Sequence, residues 1–160
     1  MQIRPLDPDD IPAAAAVLHR AATVFILHEC DPDAAAAFLA QHDAAGLRRN
    51  LDAGFVYHVA IVDGVLAGFV GVRGGTHLFH LFVDEAFQRR GIAGALWQAA
   101  RAAALGPGHP GIFTVNASNV AVPFYAAQGF ERTAPVQADT VPYNPMRLVV
   151  SASVPLVDPA

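Results

Sequence analysis

The chain has 160 residues, of which 54% are apolar and 15% are charged, and its formal net charge at pH 7 is −4. This length and apolar content suit a single domain with a packed core. The net negative charge argues against a general nucleic-acid surface, which needs clustered basic residues, and the single cysteine, Cys30, excludes an intrachain disulfide.

The cysteine count and the hydropathy of the sequence also bear on the compartment of the protein. A single cysteine fits a reducing environment, and the first ten residues, MQIRPLDPDD, lack the basic and apolar regions of a signal peptide. No run approaches the roughly 18–20 apolar residues that a membrane span needs. These features predict a cytoplasmic protein that binds neither nucleic acid nor membrane.

The N-terminal third is predicted to be mostly helical. Each helix there has an acidic residue at its start, in the position of an N-cap, and two of them have a proline in the first turn. In chain order the elements are the strand Ile3–Pro5, a helix capped by Asp9 or Asp10 with Pro12 in its first turn, a helix from Asp31-Pro32 to about His42, and a helix from Asp43 to Leu51.

The middle of the chain changes to a β pattern. The runs Phe55–Val62 and Val65–Val72 are separated by Asp63-Gly64, which is a strong two-residue hairpin signal. Gly74-Gly75 then turns the chain into a third strand, His77–Val83. This segment therefore predicts three consecutive strands, each antiparallel to the one before it.

The C-terminal half alternates helices and strands again. Its predicted elements are a helix over Gly91–Leu105 stopped by Gly106-Pro107, a strand over Ile112–Asn116, a short helix capped by Ser118 or Asn119 that ends at Gly129, and closing strands over Phe130–Thr133 and Met146–Val150. Three hairpin-linked strands, a crossover helix and another strand predict a mixed α/β sheet of six to seven strands with four to five helices. We expect one domain over residues 1–150 and a tail over 151–160.

The segment Thr76–Gly94, THLFHLFVDEAFQRRGIAG, predicts a buried strand that runs into a glycine-bearing turn at the start of a helix. Backbone N–H groups at a helix start form an anion site, and Arg89 and Arg90 add two cations beside it. An ordinary strand-to-helix turn is the alternative. A dinucleotide-binding turn is excluded because the glycines do not follow Gly-x-Gly-x-x-Gly, and a Walker loop because no Gly-Lys-Ser/Thr occurs.

A second segment, Val115–Phe130, reads VNASNVAVPFYAAQGF. Together the two segments resemble the GNAT superfamily of acyl-coenzyme A-dependent N-acetyltransferases. The family's cofactor loop, Gln/Arg-x-x-Gly-x-Gly/Ala, is matched by Gln88–Ala93, and its Phe-Tyr-x-x-x-Gly-Phe motif by Phe124–Phe130. The resemblance covers nearly the whole chain, and it implies a GNAT-like sheet that splays between its fourth and fifth strands, with the cofactor in the gap.

The resemblance also implies acetyl-CoA as cosubstrate and no metal. In the family, backbone N–H groups of the loop hold the pyrophosphate, the strand backbone pairs with the pantetheine arm, and an asparagine often contacts that arm. Carried over to this sequence, the cofactor-binding residues are Gln88, Arg89, Arg90, Gly91, Ile92, Ala93 and Gly94 of the loop, Leu81, Phe82 and Val83 of the strand, and Asn116 or Asn119.

Acetyl transfer to an amine requires removal of a proton, since an alkylamine with a pKa of about 10 is mostly protonated at pH 7. His77 and His80 are the candidate bases, because a histidine titrates near neutral pH. A regular strand places them on opposite faces and favours His77, whereas a bulge, which the family often has in this strand, would exchange these faces. For each, the alternative is a histidine with a purely structural role. The pair is not predicted to be a metal site, because no third ligand occurs at a suitable spacing.

Tyr125 matches the family tyrosine that points at the cofactor sulfur and is described as the general acid for the departing thiolate. A thiol has a pKa near 8.5 and a phenol near 10, so full proton transfer is uphill and hydrogen-bond stabilisation of the thiolate is the favoured role. A core tyrosine is the alternative. Cys30 is far in sequence from both motifs, so we predict direct transfer without a covalent intermediate.

The acceptor is predicted only as a class, the primary amine of a small molecule or peptide. In the family the first helices and the loop before the last strand form the acceptor pocket. The candidate residues there are Phe25, His28, Glu29, Asp139 and Tyr143. Two other functions remain open: a non-catalytic acyl-CoA-binding or sensing module, and an acetyltransferase of protein N-termini. A homodimer is compatible with each of these functions.

Overall fold

The computed structural model describes residues 1–138 and 140–150, and over these residues the chain forms one seven-stranded sheet and five α-helices. The strands are β1 (Gln2–Pro5), β2 (Val56–Val62), β3 (Val65–Arg73), β4 (His77–Val83), β5 (Ile112–Ala117), β6 (Glu131–Arg132) and β7 (Asn144–Val149). The helices are α1 (Ile11–Phe25), α2 (Pro32–Gln41), α3 (Ala44–Asp52), α4 (Ile92–Ala104) and α5 (Val122–Ala127). This confirms the predicted mixed α/β class. The predicted tail, residues 151–160, lies outside the described residues.

The sheet has the order β1-β2-β3-β4-β5-β7-β6, and β4 with β5 is its parallel pair among antiparallel neighbours. That parallel pairing covers only His77 with Thr114 and Leu78 with Val115. Beyond Leu78, the described part of β4 therefore has no strand partner on its β5 side. The sheet opens at this point, as the resemblance implied.

The core has two parts, one on each side of the sheet. Leu96 and Trp97 of α4 belong to one cluster with Val70, while Leu18 of α1 belongs to the other with Phe69. Neighbouring residues of β3 enter different clusters because successive side chains of a strand point to opposite faces. The helices thus cover both faces and leave the opening beside β4 accessible.

The predicted caps of α2 and α3 are confirmed. Asp31 Oδ1 accepts a hydrogen bond from Ala34 N at 2.9 Å, and Asp43 Oδ1 accepts one from Gly46 N at 2.8 Å. Helix α2 ends at Gln41, and His42, which bears on the site, is its C-cap residue.

The other two predicted caps make no side-chain hydrogen bond to their helix. Asp10 is the N-cap residue of α1, but its carboxylate pairs with Arg4 at 2.6 Å and accepts from Asp7 N at 2.8 Å. Neither Ser118 nor Asn119 makes a side-chain cap at α5. Asn119 cannot, since its amide bonds to other side chains, as described below.

Candidate active site

Two adjoining cavities lie at the opening between β4 and β5. The first, here called the Tyr125 cavity, has a volume of about 220 Å³ and lies between α1, β4 and the β5–α5 segment. The second, here called the histidine cavity, has a volume of about 350 Å³ and lies between the end of α2, β4 and the segment before β7. Ile26, Phe82 and Ser118 line both cavities, so a molecule in one can meet a molecule in the other at Phe82.

The structure brings many of the predicted cofactor residues together. Those that line the Tyr125 cavity are Leu81, Phe82, Val83, Gln88 and Ala93, and the predicted catalytic residue Tyr125 lines it with them. Phe25, predicted for the acceptor pocket, also lines this cavity and not the histidine cavity. An extended ligand arm could pair with the open backbone edge of β4 here, since that edge lacks a strand partner within the described residues.

The loop before α4 is held in place on its β4 side. Gln88 Nε2 donates to the carbonyl of Val83 at 2.7 Å. The Asp84 carboxylate accepts from Ala86 N at 3.0 Å and from Arg20 Nε of α1 at 2.8 Å. These bonds tie the end of β4 to α1 and orient the loop that follows.

The loop then enters α4 through left-handed backbone. Arg89 has φ +61° and Gly91, the N-cap of α4, has φ +75° with no side-chain cap. The first N–H groups of α4 therefore have no intrahelical partner and are available to an anion. The side chain of Ile92 is buried in the core, so this residue can offer a ligand only its backbone. The open N–H groups, the unpaired edge of β4 and the adjoining cavity together fit a coenzyme A molecule.

Tyr125 lies on α5 with its ring buried between Phe124 and Phe130, at centroid distances of 5.1 and 5.4 Å. Within residues 1–138 and 140–150 its hydroxyl has no hydrogen-bond partner, and burial is the only cause that shifts its pKa. Burial raises the pKa of this phenol, which therefore stays protonated at neutral pH. The side chain is a hydrogen-bond donor facing the cavity.

The two β4 histidines lie on the same cavity because the strand is bulged. Gly71 pairs with His80 but Val72 pairs with Leu78, which leaves Phe79 as the extra residue. Both His77 and His80 line the histidine cavity. Of the two alternatives left open by the sequence, the regular strand, which puts them on opposite faces, is wrong, and the bulged strand is confirmed.

His77 has one ring nitrogen bonded and one free. Its Nδ1 lies 2.7 Å from Thr114 Oγ1 across the β4–β5 pair, and no bond to Nε2 occurs within the described ranges. Burial lowers the pKa of His77, and the positive charge of Arg73 lowers it further. His77 is therefore a neutral imidazole at pH 7, with an unbonded nitrogen in a side chain that lines the cavity.

His80 differs because both of its ring nitrogens are bonded. It is 3% exposed, with Nδ1 at 3.0 Å from Tyr57 Oη and Nε2 at 2.8 Å from His42 Nδ1. Asn50 Nδ2 donates to the same Tyr57 oxygen at 3.1 Å. Asn50, Tyr57, His80 and His42 thus form one row of hydrogen bonds, here called the buried chain, that runs from α3 to the histidine cavity.

His42 is the residue that sequence reasoning missed. It lines the histidine cavity beside Phe38 and Phe79, and its ring stacks on Phe38 with centroids 4.2 Å apart. The sequence placed His42 at the end of a helix but carried no signal that this end lies over β4. Tyr57 and Asn50 were missed for the same reason, since their partners are distant in sequence.

The other predicted acceptor residues divide between the cavity and the surface near it. Tyr143 lines the histidine cavity, together with Asn116 of the predicted cofactor residues, whereas Asp139 lies outside the described residues. The side chain of Glu29 accepts from Asn119 Nδ2 at 2.7 Å and lies 3.7 Å from His28 Nε2. Glu29, His28 and Asn119 line neither cavity.

Asn119 also accepts from the buried Asn144 at 2.9 Å. Asn119 therefore joins the β5–α5 segment to β7 and, through Glu29, to the 3-10 turn Leu27–Glu29 that follows α1. Of the two asparagines predicted to contact the cofactor arm, neither lines the Tyr125 cavity, and Asn116 lines the histidine cavity.

Two further properties concern the described residues as a whole. Across residues 1–138 and 140–150, no three histidine, cysteine, aspartate or glutamate side chains are close enough to hold a metal ion. Of the helices in the same ranges, none combines the length and the apolar character needed to cross a membrane.

Comparison with known proteins agrees with this geometry. The sequence model of the family described as acetyltransferase (GNAT) domain matches residues 26–150. The chain is 31% identical to the "Uncharacterized N-acetyltransferase YafP" of Escherichia coli (strain K12) over 131 residues, which cover 82% of this chain and 81% of that protein.

Solved structures share the fold. The crystal structure of the "GCN5-Related N-acetyltransferase: Aminotransferase, Class-II" from Rhodopseudomonas palustris aligns with a TM-score of 0.81 and 23% identity over 93% of this chain and 95% of that one. The PaiA N-acetyltransferase of Thermoplasma acidophilum, solved in complex with coenzyme A, aligns with a TM-score of 0.75 and 16% identity over 92% and 98%. The family model and the curated relative together show that this chain belongs to the GNAT acetyltransferase family, whose members generally transfer an acetyl group from acetyl-CoA.

Proposed function

We propose that this protein transfers an acetyl group from acetyl-CoA directly to the primary amine of a small molecule or peptide. The observation that carries the proposal is the pair of cavities that meet at Phe82, one containing a buried phenol and the other containing imidazoles. Acetyl-CoA supplies the acyl group and a thiolate leaving group. The Tyr125 cavity is assigned to the cofactor arm and the histidine cavity to the amine.

Binding of the cofactor is assigned mainly to backbone groups. The N–H groups at the start of α4 and the unpaired edge of β4 take the pyrophosphate and the pantetheine arm. Arg89 and Arg90 are exposed and add positive charge beside the loop, although Arg90 also lies over the Phe87 ring at 5.4 Å. Substitutions that change the loop backbone should therefore weaken binding more than side-chain truncations.

Tyr125 is proposed to donate a hydrogen bond to the thiolate as the thioester breaks. Its pKa is raised by burial, so a complete proton transfer to sulfur would be still more uphill than in water. Donating a hydrogen bond without transferring the proton avoids this free-energy cost. It also stabilises the negative charge that develops on sulfur in the transition state.

The base is proposed to be His77, acting directly or through water. Its Nε2 is unbonded and its pKa is depressed, so the nitrogen is ready to accept a proton at pH 7. His80, the other predicted base, has no nitrogen left to face an amine, because Tyr57 and His42 occupy both. We assign His80 a supporting role.

Transfer is proposed to be direct because Cys30 is a poor nucleophile. Burial raises the pKa of this thiol, and the nearby charges of Asp31 and Glu29 raise it further. The reactive form of a cysteine is the thiolate, so a raised pKa disfavours an acetyl-cysteine intermediate. Unchanged kinetics in Cys30→Ser would agree with this assignment.

The proposed function is tested by release of free thiol from acetyl-CoA in the presence of a panel of primary amines. Binding of coenzyme A is measured in parallel by calorimetry. Turnover of at least one amine, with a saturable rate in both substrates, is expected. Tight cofactor binding with no turnover across the panel would favour a non-catalytic sensing module instead.

A further inference from the structure

The direction of every hydrogen bond in the buried chain follows from its Asn50 end. Asn50 Nδ2 donates to Tyr57 Oη at 3.1 Å, so the hydroxyl proton of Tyr57 is free to point at its other neighbour, His80 Nδ1, at 3.0 Å. Burial raises the pKa of Tyr57 to about 12, and the hydroxyl therefore keeps its proton at neutral pH. His80 Nδ1 is an acceptor in this arrangement.

The same logic fixes both histidines. Burial, with the neighbouring His42 as a second cause, holds the pKa of His80 well below its usual value. Neutral His80 accepts at Nδ1, so its single proton is on Nε2 and is donated to His42 Nδ1 at 2.8 Å. Burial also lowers the pKa of His42, against an opposing effect of Asp43. Neutral His42 therefore carries its proton on Nε2.

Contacts on both sides of the His42 ring hold it beside the histidine cavity, with Nε2–H unbonded. The ring lies between Phe38 and Phe79, with centroids 4.2 and 5.8 Å away and interplanar angles of 23° and 29°. Nδ1 is bonded to His80, and Nε2 has no partner within residues 1–138 and 140–150. The side chain lines the histidine cavity. A donor in such a place favours a ligand that brings an acceptor.

We propose that His42 Nε2–H is a fixed hydrogen-bond donor in the acceptor site, and that the acceptor carries a carbonyl or carboxylate oxygen next to its primary amine. The inference rests on the proposed acetyl transfer and on the amine occupying the histidine cavity. An amino acid, an amino acid amide and a peptide N-terminus have this chemistry, whereas a plain alkylamine does not. His80, Tyr57 and Asn50 are positioning residues that set the His42 tautomer without touching the acceptor.

The need for an oxygen follows from the chemistry of attack. An amine attacks the acyl carbon with its lone pair. Without another acceptor, His42 Nε2–H would bond to that same lone pair and compete with the reaction. An adjacent oxygen takes the bond and leaves the lone pair free, so the donor discriminates between the two kinds of amine.

The decisive variant is Asn50→Asp, which changes the chain without touching either cavity. A carboxylate only accepts, so Tyr57 Oη would donate to it, His80 Nδ1–H would donate to Tyr57, and His42 Nδ1–H would donate to His80. His42 Nε2 would lose its proton and become an acceptor. Arg48→Gln is the matched control, because it changes the charge of the same helix by the same amount at an exposed position.

Nitrogen-15 NMR of histidine-labelled protein reads the tautomers directly. We expect Nε2–H for His42 and His80 in the wild type and in Arg48→Gln, and Nδ1–H for both in Asn50→Asp. A wild-type His42 protonated at Nδ1 would overturn the inference. This measurement needs no turnover. It therefore establishes the hydrogen-bond directions in the buried chain even if no amine is acetylated and the proposed function fails.

Kinetics test the acceptor class with leucinamide, leucine and 3-methylbutylamine, which share one side chain. We expect wild-type kcat/KM to favour leucinamide or leucine, and Asn50→Asp to lower that preference by roughly 3- to 10-fold, the effect of one hydrogen bond. Comparing each variant with wild type cancels the different basicities of the amines. If Asn50→Asp has the reversed tautomers but keeps the wild-type ratio of kcat/KM values, the donor role is refuted. A higher wild-type kcat/KM for leucinamide indicates a carbonyl as the bonded group, and a higher value for leucine indicates a carboxylate.

Discussion

The phenol ring of Tyr57 lies across Gly71, the residue paired with it on the neighbouring strand. A β-carbon at Gly71 would stand 2.3 Å from Cε1 of that ring. Gly71 is also the partner of His80 on the next strand, so the three residues form one row across β2, β3 and β4. Because the middle residue has no side chain, Tyr57 Oη reaches over β3 to His80 Nδ1.

Gly71→Ala should therefore displace Tyr57 and break its bond to His80. Overpacking a filled core site typically costs about 1–3 kcal/mol, and we expect a loss of that size in urea unfolding, together with a changed His80 nitrogen spectrum. Gly106→Ala is the control, since a β-carbon there meets nothing within 4 Å. A Gly71→Ala protein with wild-type stability and an unchanged His80 spectrum would contradict this account.

Acid should destabilise the protein through His80. The pKa of His80 is depressed in the folded state, so the unfolded chain binds the proton first as pH falls. Stability is full above the unfolded pKa of about 6.5 and falls as pH drops below it, by up to about 1.4 kcal/mol per pH unit for one group. Unfolding measured from pH 8 to pH 5 should show a shallower fall in His80→Asn. An equally steep fall in that variant would assign the acid sensitivity to other groups.

Much of the fold was predictable because its signals are local. Asp63 and Gly64 have φ +50° and +77°, both positive as a two-residue hairpin turn of this type requires. The identities of these two adjacent residues are enough to predict the turn. The caps at Asp31 and Asp43 depend likewise on groups within three residues of them. Such features need no knowledge of the tertiary structure.

The site was less predictable because it depends on contacts distant in sequence. The bulge at Phe79 arises from pairing with β3, and no residue of β4 alone signals it. His42 and His80 are 38 residues apart, and their contact exists only because α2 ends over β4. The sequence therefore indicated the strand that lines the histidine cavity and favoured His77 as the base. It did not show that both ring nitrogens of His80 are bonded, or that the third imidazole, His42, lies beside it.

Gly91→Val should weaken coenzyme A binding while the protein stays folded. A β-branched residue is strained at φ +75°, and its side chain would stand where the loop backbone must approach phosphate. Calorimetry with coenzyme A measures the effect. Gly108→Val is the matched control, because its φ of +84° imposes a similar strain in a loop that lines neither cavity. Equal affinities in the two variants would remove the loop from the cofactor site.

His77→Gln should lower kcat/KM by about 10²–10⁴-fold, the usual contribution of a general base. The pKa of His77 is depressed, so in the wild type kcat/KM should rise with pH through a value below 6.5 and level off before pH 7. The measurement uses an acceptor amine that is unprotonated across this pH range, so that the pH dependence reports the titration of the enzyme group and not that of the amine. His19→Gln, at an exposed position on α1, is the control. A wild-type pH profile in His77→Gln would assign deprotonation to water or to another residue.

Tyr125→Phe should separate catalysis from folding and from binding. The ring packing with Phe124 and Phe130 is kept, and the hydroxyl makes no hydrogen bond within the described residues, so the urea midpoint should change little. If the hydroxyl stabilises the thiolate, its loss removes an interaction made in the transition state and should lower kcat by about 10–1000-fold. The KM for acetyl-CoA should change less, because backbone groups are expected to hold the cofactor. Steady-state kinetics of thiol release measure both constants, and a wild-type kcat in this variant would reduce Tyr125 to a core residue of α5.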